Sequence, residues 1–276
     1  MDALWFSLIL LLSSLAAGLL GALSGLGGGV VIVPVLTIVF HVDLHYAIGA
    51  SLVSVIATSS GAAAAYVREG FSNIRIGMFL EIATTLGALL GAWLTTRVPT
   101  HSIGFIFGLV LLYSAYASLK KRHETLTQKP DPLALRLKLQ GAFPSDNGNQ
   151  EYIAQRVPAG FGLMTIAGTL SGLLGIGSGA VKVIAMDQAM RLPFKVSTTT
   201  SNFMIGVTAA ASAGLYLRSG YLAPALVMPV MLGVLLGSLI GSRLLVKVQV
   251  HTLKVVFSLV IIALGVEMIV NSLTGK

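Results

Sequence analysis

Long apolar runs constrain this chain more than any other feature of its sequence. Crossing the hydrocarbon core of a bilayer takes about 20 apolar residues in a helix. Only about 10% of the 276 residues are charged, well below the proportion of about a quarter in soluble domains. The chain is therefore predicted to be an all-α polytopic membrane protein in contact with the lipid bilayer. Six runs are long enough to cross, at about 46–66, 74–96, 101–119, 196–217, 222–242 and 252–272.

Composition and motifs exclude several other classes of protein. The net charge is +8, but the 18 Lys and Arg residues are dispersed between apolar runs, so we expect no nucleic acid partner. Without cysteine, the chain cannot form a disulfide scaffold or a thiolate zinc site. It lacks a His-Glu-x-x-His motif, a P-loop and a nucleophile elbow. We therefore expect no enzyme, no ATP-driven pump within this chain, no metal and no cofactor.

An internal repeat organises the chain. Residue n resembles residue n+150 without gaps from about 21 to 120, and about a quarter of these positions are identical. Paired Arg, His and Tyr positions at one offset are unlikely to match by chance between two apolar sequences. The chain is thus predicted to contain two copies of one unit. The most informative identities pair Ser51 with Ser201, Tyr66 with Tyr216, Arg68 with Arg218 and His101 with His251.

The two repeats are predicted to lie in opposite orientations in the membrane. We divide the chain into a first membrane repeat (1–119), a connecting loop (120–157) and a second membrane repeat (158–276). Each repeat begins with a longer stretch, at about 3–40 and 158–190, followed by three spans. The connecting loop carries seven Lys or Arg residues, which places it in the cytoplasm. Inverted repeats then leave only Arg97, Arg218 and Lys276 outside, together with both termini, and parallel repeats would leave six basic residues outside.

A glycine cluster interrupts each leading stretch. One cluster lies between Ser24 and Gly29 and the other between Ser171 and Gly179. Each glycine costs about 1 kcal/mol in a helix interior, and a break at equivalent positions of two inverted halves indicates a transporter binding site. The short runs that follow, Val30–Phe40 and Ala180–Met190, are predicted to be half-helices whose N-termini attract an anion.

The predicted substrate site combines these glycines with nearby polar side chains. Small residues also let helices pack closely, and we prefer that interpretation for Gly87 with Gly91 and for Gly237 with Gly241. The predicted site residues are Ser24, Gly27, Gly28, Gly29, Ser51, Gly177, Ser178, Gly179, Lys182, Ser201 and Asn202.

Two charged residues within apolar stretches are further candidates, since such charges are usually functional. Lys182 lies one turn into the second half-helix, where the first repeat has Ile32. It is predicted to neutralise the anion, to pair with Asp187 or to reach the membrane rim. Glu81 is predicted to carry a coupling proton or to lie at the interface.

Two polar segments have less specific interpretations. His41, Asp43 and His45 have a spacing compatible with metal ligands, but polar residues are also common in a loop bordering lipid, and we expect no metal there. The connecting loop contains three prolines and the run Ser145–Asn149, which indicate turns or disorder. Its basic, leucine-rich part, 133–139, is a candidate to lie on lipid headgroups. A solvated tether is the preferred interpretation of the whole loop.

The glycine clusters and their flanking residues resemble the TauE/SafE family of sulfite exporters. The resemblance rests on Ser24–Gly29 with Pro34 and 49–52 in the first repeat, and on Ser171–Gly179 with 199–202 in the second. It implies a multi-pass carrier in a bacterial-type plasma membrane that moves sulfite or small organosulfonates, usually outward. The second repeat departs from the family pattern at Ser178 and Lys182 and lacks a counterpart of Pro34, which leaves the substrate open.

The sequence thus predicts a secondary transporter, an exporter, with a small sulfur-containing anion such as sulfite or an organosulfonate as its substrate. The transporter would be a monomer or a homodimer. An anion channel, a carrier of another small organic anion, an intramembrane enzyme and a non-transporting assembly partner are the alternatives.

Overall fold

The computed structural model describes the backbone of residues 3–24, 28–68, 72–119, 131–145, 148–245 and 250–274. Within these ranges the chain is almost entirely helical. The first repeat contains α1 (Ala3–Ser24), α2 (Gly29–Pro34), α3 (Leu44–Arg68), α4 (Ile74–Thr95) and α5 (Thr100–Leu119). The connector contains α6 (Pro132–Arg136), β1 (Gln140–Ser145) and β2 (Gly148–Ile153). The second repeat contains α7 (Val157–Leu174), α8 (Gly179–Ile184), α9 (Phe194–Arg218), α10 (Pro224–Leu245) and α11 (Val250–Thr274).

The two predicted half-helices are confirmed. Both α2 and α8 have six residues, and each continues into a five-residue π-helical segment, Val35–Val39 and Ala185–Ala189. The π-helical segment occurs in both repeats although only the first has a proline, Pro34, at the junction, so proline is not its cause. His41 and Arg191, one repeat apart, both have a left-handed backbone after these segments, with φ of 51° and 52°.

The helix lengths fit a membrane protein. In the described part of the chain, three helices are long and apolar enough to cross a bilayer, Ile74–Thr95, Thr100–Ala117 and Val157–Leu174. Large apolar side chains such as Met78, Leu86 and Trp93 on α4 are exposed. Large apolar side chains on the outer face of a long apolar helix are expected where that face contacts lipid. The predicted all-α membrane architecture is confirmed at this level.

Equivalent helices of the two repeats make equivalent contacts. The first helix of each repeat packs along the fourth element of the other, α1 on α10 and α7 on α4, and α5 packs on α11. Small residues allow this close approach: a methyl group on Gly87 or Gly91 would collide with the backbone of Thr165 or Thr169 on α7. Gly237 lies in the same way against Leu15. The packing interpretation of these three glycines is therefore confirmed, and that of Gly241 lies outside the described side chains.

The connector is folded from residue 131 onward. The prediction of turns or disorder is wrong at Pro132 and Pro144, which lie in α6 and β1, and the middle of the run Ser145–Asn149 lies outside the described residues. β1 and β2 form an antiparallel hairpin, and Asp131 caps α6 by accepting the N–H of Leu133. Phe143 and Tyr152 are buried with Met186 and Met190 of the second broken helix. Apolar contacts with the membrane repeats stabilise a segment whose composition alone favours a loop. The start of the connector, 120–130, lies outside the described residues.

Candidate functional site

The second glycine cluster forms a tight, buried turn between two helices. Gly175 ends α7 with φ of 69°, and Gly177 has φ of 68°. This left-handed region is accessible to glycine without steric penalty. Ser178 also has a positive φ, 44°, and is 2% exposed. A non-glycine residue in this conformation is strained, so the surrounding packing holds Ser178 in place.

The two glycine breaks lie against each other. Ser51 on α3 donates its hydroxyl hydrogen to the carbonyl oxygen of Gly175, at 2.7 Å. A methyl group on Gly29, at the start of α2, would lie 2.7 Å from Ser51 Oγ and 3.1 Å from the Gly175 oxygen. The start of the first half-helix, the second break and α3 thus meet at one buried point. Residues about 125 to 150 positions apart in sequence are brought together there.

The remaining predicted site residues lie around this point, with some outside the described part of the chain. Gly28 precedes α2 and is buried. Ser201 on α9 donates to the carbonyl oxygen of Gly179, at 3.3 Å, and Asn202 beside it is half-buried. Gly27 lies outside the described residues, and the backbone of Ser24 is described without its side chain.

The hydroxyl groups at the breaks differ in their availability. Ser51 and Ser201 use their hydrogens on backbone carbonyls. Ser178 Oγ is buried and has no hydrogen-bond partner among the described residues. Since leaving a buried hydroxyl unpaired costs about 1–3 kcal/mol, this hydroxyl group is available to bind a ligand at the break.

A second polar cluster lies one turn from the break. Lys182 is completely buried, and its Nζ donates to Thr208 Oγ1 of α9 at 2.5 Å. The same oxygen lies 2.7 Å from Glu81 Oε1 of α4. We call Glu81, Lys182 and Thr208 the charge cluster. The prediction that Lys182 reaches the membrane rim is wrong, because apolar elements enclose it.

Glu81 is an interior residue. Its side chain is only 8% exposed. Thr85 Oγ1 also donates to Glu81 Oε1, at 3.1 Å. The other carboxylate oxygen, Oε2, is buried and has no hydrogen-bond partner among the described residues. The carboxylate is thus satisfied on one oxygen and open on the other.

The two charged residues of the cluster have apolar counterparts at the repeat offset, and only its threonine is matched by a threonine. At an offset of 150, Lys182 corresponds to Ile32, Glu81 to Met231 and Thr84 to Val234. Thr208 corresponds to Thr58, whose hydroxyl bonds to the carbonyl of Ser54 in its own helix, at 3.1 Å. The fold therefore does not need a charge pair at this position, since its apolar counterpart packs in the same architecture.

The histidine-containing loop is held by local contacts. His45 Nδ1 lies 3.1 Å from Asp43 Oδ1, and its Nε2 lies 3.2 Å from the carbonyl oxygen of Thr95. The ring stacks on Tyr221 at a centroid distance of 4.8 Å. These contacts join the start of α3 to the ends of α4 and α9. Within the described residues, no group of three His, Cys, Asp or Glu side chains is placed to hold a metal ion.

Sequence reasoning missed the threonines that complete the charge cluster. A single threonine in an apolar helix looks like an ordinary residue, and its hydroxyl commonly bonds to its own helix. The signal that was available is the identity of Thr58 and Thr208 at the repeat offset. The link between Glu81 and Lys182 runs through Thr208, joins residues about 100 positions apart and has no local signature.

Comparison with known proteins agrees with this architecture. The family described as "Sulfite exporter TauE/SafE" matches residues 10–268. "Probable membrane transporter protein YunE" of Bacillus subtilis is 26% identical over 268 residues, covering 95% of this chain and 96% of that protein. "Probable membrane transporter protein YdhB" of the same organism is 28% identical, covering 82% and 83%.

More distant relatives carry the same description. A "Probable membrane transporter protein" of Xylella fastidiosa is 25% identical over 260 residues, covering 93% of this chain and 91% of that protein. No solved structure matches the chain significantly. The family match extends over nearly the whole sequence and includes both glycine breaks and the charge cluster. The chain belongs to the sulfite exporter TauE/SafE family of membrane transporters.

Proposed function

We propose that this protein is a secondary transporter that exports a small sulfur-containing anion, such as sulfite or an organosulfonate. The contact of Gly29 with Ser51 and the Gly175 carbonyl carries this proposal. Irregular backbone at membrane depth is tolerated where protein surrounds it or where it lines a cavity. Two such breaks in contact, one from each repeat, form a natural substrate site between two parts that can move against each other.

The charges and hydroxyls around the breaks favour an anion as the substrate. Lys182 is a buried cation one turn beyond Ser178, whose carbonyl accepts the N–H of Lys182 at 3.0 Å. The unpartnered hydroxyl of Ser178 lies at the same break. A cation and a hydroxyl donor are suited to an oxyanion, because hydrogen bonds to charged oxygen are about twice as strong as neutral ones.

Opposed helix directions support the inverted arrangement of the repeats. Gly49, near the start of α3, packs against the Tyr221 carbonyl just beyond the end of α9. Thr200, near the start of α9, accepts the N–H of Asn73 just beyond the end of α3, at 3.1 Å. The equivalent helices α3 and α9 therefore run antiparallel. Alternating access follows if one repeat rocks against the other around this crossing.

The distribution of basic residues supports a cytoplasmic connector. The connector contacts the turn at Asn73 and the carbonyl of Met190. Described basic residues at this end of the molecule are Arg75, Arg136, Lys138, Arg156, Arg191 and Lys195. At the opposite end, where His45, Thr95 and Tyr216 meet, they are Arg97 and Arg218. The excess of Lys and Arg supports a connector end that faces the cytoplasm, in a bacterial-type plasma membrane.

Uptake by reconstituted protein tests this function. We expect saturable uptake of radiolabelled sulfite or sulfoacetate into proteoliposomes. Gly29→Ala places a methyl group 2.7 Å from Ser51 Oγ and 2.8 Å from Val55 Cγ2. Overpacking of this kind costs about 1–3 kcal/mol, so we expect uptake to fall by about tenfold or more.

Gly214→Ala is the matched control, because a methyl group at this exposed position of α9 would have no atom within 4 Å. It should transport at the wild-type rate. Flux that does not saturate would identify a channel. Absence of uptake of both anions by the wild type, or full activity of Gly29→Ala, would overturn the proposal.

A further inference from the structure

The charge cluster is arranged as a chain of hydrogen bonds with an open position at each end. A threonine hydroxyl has one hydrogen to donate and can also accept. Thr208 accepts from Lys182 and lies within hydrogen-bond distance of Glu81 Oε1. At one end, the ammonium group of Lys182 has three hydrogens, of which the described contacts use one. At the other end, Glu81 Oε2 is unpartnered.

These open positions match the requirements of an anion and a proton. An anion at the glycine break can take the hydrogens of the Lys182 ammonium, since Lys182 lies one turn from Ser178, whose carbonyl accepts its N–H. A proton can bind Glu81 Oε2 without displacing the hydrogen bonds on Oε1. The cluster thus has two ligand positions, one for an anion at Lys182 and one for a proton at Glu81, and occupation of either changes the net charge of the cluster.

Electroneutrality links the two positions. A buried charge that loses its partner is strongly destabilised. When the anion draws the ammonium of Lys182 to itself, the carboxylate of Glu81 loses its counter-charge in an apolar interior. A proton on Glu81 removes that charge. Binding of the anion therefore favours protonation of Glu81, and protonation of Glu81 favours binding of the anion by the same factor.

Other ionisable side chains on the neighbouring elements do not replace Glu81 in this role. The helix α7 contains none. On α4, α5 and α9, Arg75, His101, Lys195 and Arg218 are exposed and lie near helix ends, and Tyr113 and Tyr116 face outward. Tyr216 is buried and bonded to Thr95. Asp187 is half-buried in the π-helical segment that follows α8, beyond the first turn that carries Lys182.

We propose that the Glu81–Thr208–Lys182 cluster couples transport to protons, with one proton carried on Glu81 for each anion that binds Lys182, and with export driven by the outward gradient of the anion itself. This rests on the proposed function. The first repeat's counterpart of the cluster has Ile32 and Met231 in place of the charged residues. Coupling is therefore assigned to a single site, with a stoichiometry of one proton for one anion.

Accumulation under a pH gradient tests the coupling. Radiolabelled sulfoacetate is the probe, because its acidic groups stay ionised above about pH 5. A tenfold proton gradient, acidic outside, is imposed across the proteoliposome membrane, with the membrane potential held at zero. Wild-type protein should accumulate the anion about tenfold, because each proton moved down a tenfold gradient supplies a tenfold factor. If the protein carries only sulfite, labelled sulfite replaces sulfoacetate. Sulfite can itself bind a proton, so the accumulation by Glu81→Gln is subtracted from that of the wild type.

Variants of the cluster separate coupling from transport. Glu81→Gln should exchange labelled for unlabelled anion and fail to accumulate it. Lys182→Met should lose saturable uptake, and Thr208→Val should lose accumulation. Thr58→Val, the counterpart in the first repeat, is the matched control and should accumulate as the wild type does.

The outcomes distinguish this proposal from the proposed function. Transport of neither anion by the wild type defeats both. Transport without accumulation, or accumulation by Glu81→Gln equal to that of the wild type, defeats the coupling and leaves the transporter assignment intact. Loss of accumulation in Thr58→Val to the same extent as in Thr208→Val would also overturn it, because the effect would not belong to the charged site.

Discussion

At the scale of single residues, the interior of this protein contains a lysine and a carboxylate that satisfy one another through a threonine. Lys182 is completely buried and Glu81 nearly so. Burial of an ion pair contributes little net stability, but removal of one member leaves an uncompensated charge at a cost of about 3–5 kcal/mol. Each of the two side chains is therefore stabilised by the presence of the other, and the pair as a whole contributes little to the stability of the fold.

A double-mutant cycle measures this dependence. Lys182→Met or Glu81→Gln alone should lower the free energy of unfolding, because each leaves one buried charge without its partner. The double variant should regain most of the free energy of unfolding that Lys182→Met loses, since it removes both charges. Replacing both members of a buried ion pair can leave stability nearly unchanged. Thermal unfolding in detergent provides the readout. Additive losses would show that the two residues do not interact.

The sequence allowed these two residues to be identified, but not their relationship. A charge within an apolar run is conspicuous, and both stood out for that reason. Their contact is made by α4, α8 and α9, and tertiary packing of this kind leaves no spacing in a sequence. Thr208 was not identified, because a threonine is acceptable in a membrane helix with or without such a partner.

At the scale of helices, close pairs are built on glycines that face backbone. Gly168 on α7 is an example: a methyl group there would collide with the carbonyl and Cα of Thr84 on α4. Gly162 on the same helix is exposed, with no atom within 4 Å of such a methyl group. One helix thus contains a glycine required by packing and one that is not.

Alanine at these two positions should have opposite effects. Gly168→Ala should lower the free energy of unfolding by about 1–3 kcal/mol, because the backbone of α4 cannot yield as a flexible side chain would. Gly162→Ala should be neutral or stabilising by up to about 1 kcal/mol, through helix propensity. Thermal unfolding of the two variants in one detergent compares them directly. Equal losses would contradict the assigned packing.

Elements differed in how well they could be predicted. The half-helices follow from the glycine clusters and the length of the apolar runs. With the π-helical segments included, their observed bounds lie within a residue of those expected. The connector hairpin was missed because Pro144 argued against a strand and because Asn147-Gly148, a typical hairpin-turn sequence, was interpreted only as turn or disorder. Pro144 is tolerated since a two-stranded sheet has only edge strands. Its stability comes from burial of Phe143 and Tyr152 against helices distant in sequence.

At the scale of the whole molecule, the two ends differ in charge and construction. The connector end contains a folded hairpin, in which burial raises the pKa of Tyr152 and keeps its phenol neutral. The other end consists of helix turns with stacked rings of His45 and Tyr221. Since Lys and Arg concentrate at the connector end, we expect it to face the cytoplasm.

Single cysteines can test this orientation, because the natural chain has none. Ser219→Cys and Glu151→Cys place a thiol at exposed positions on opposite ends. In intact cells, a membrane-impermeant maleimide should label Ser219→Cys and leave Glu151→Cys unlabelled until the membrane is permeabilised. The cysteine-free protein is the control. Labelling of Glu151→Cys from outside would reverse the orientation.

The connector's contacts have a mechanical consequence. Asn73 caps α4 and also donates to Tyr152 of the hairpin, at 2.9 Å. Gln155 donates its N–H to the carbonyl of Met190, at the end of the second broken helix, at 3.0 Å. The connector therefore contacts both α4, which contains Glu81, and the segment that follows α8, the helix that contains Lys182. Loss of these connector contacts is therefore expected to weaken the contacts between the helix that contains Glu81 and the helix that contains Lys182.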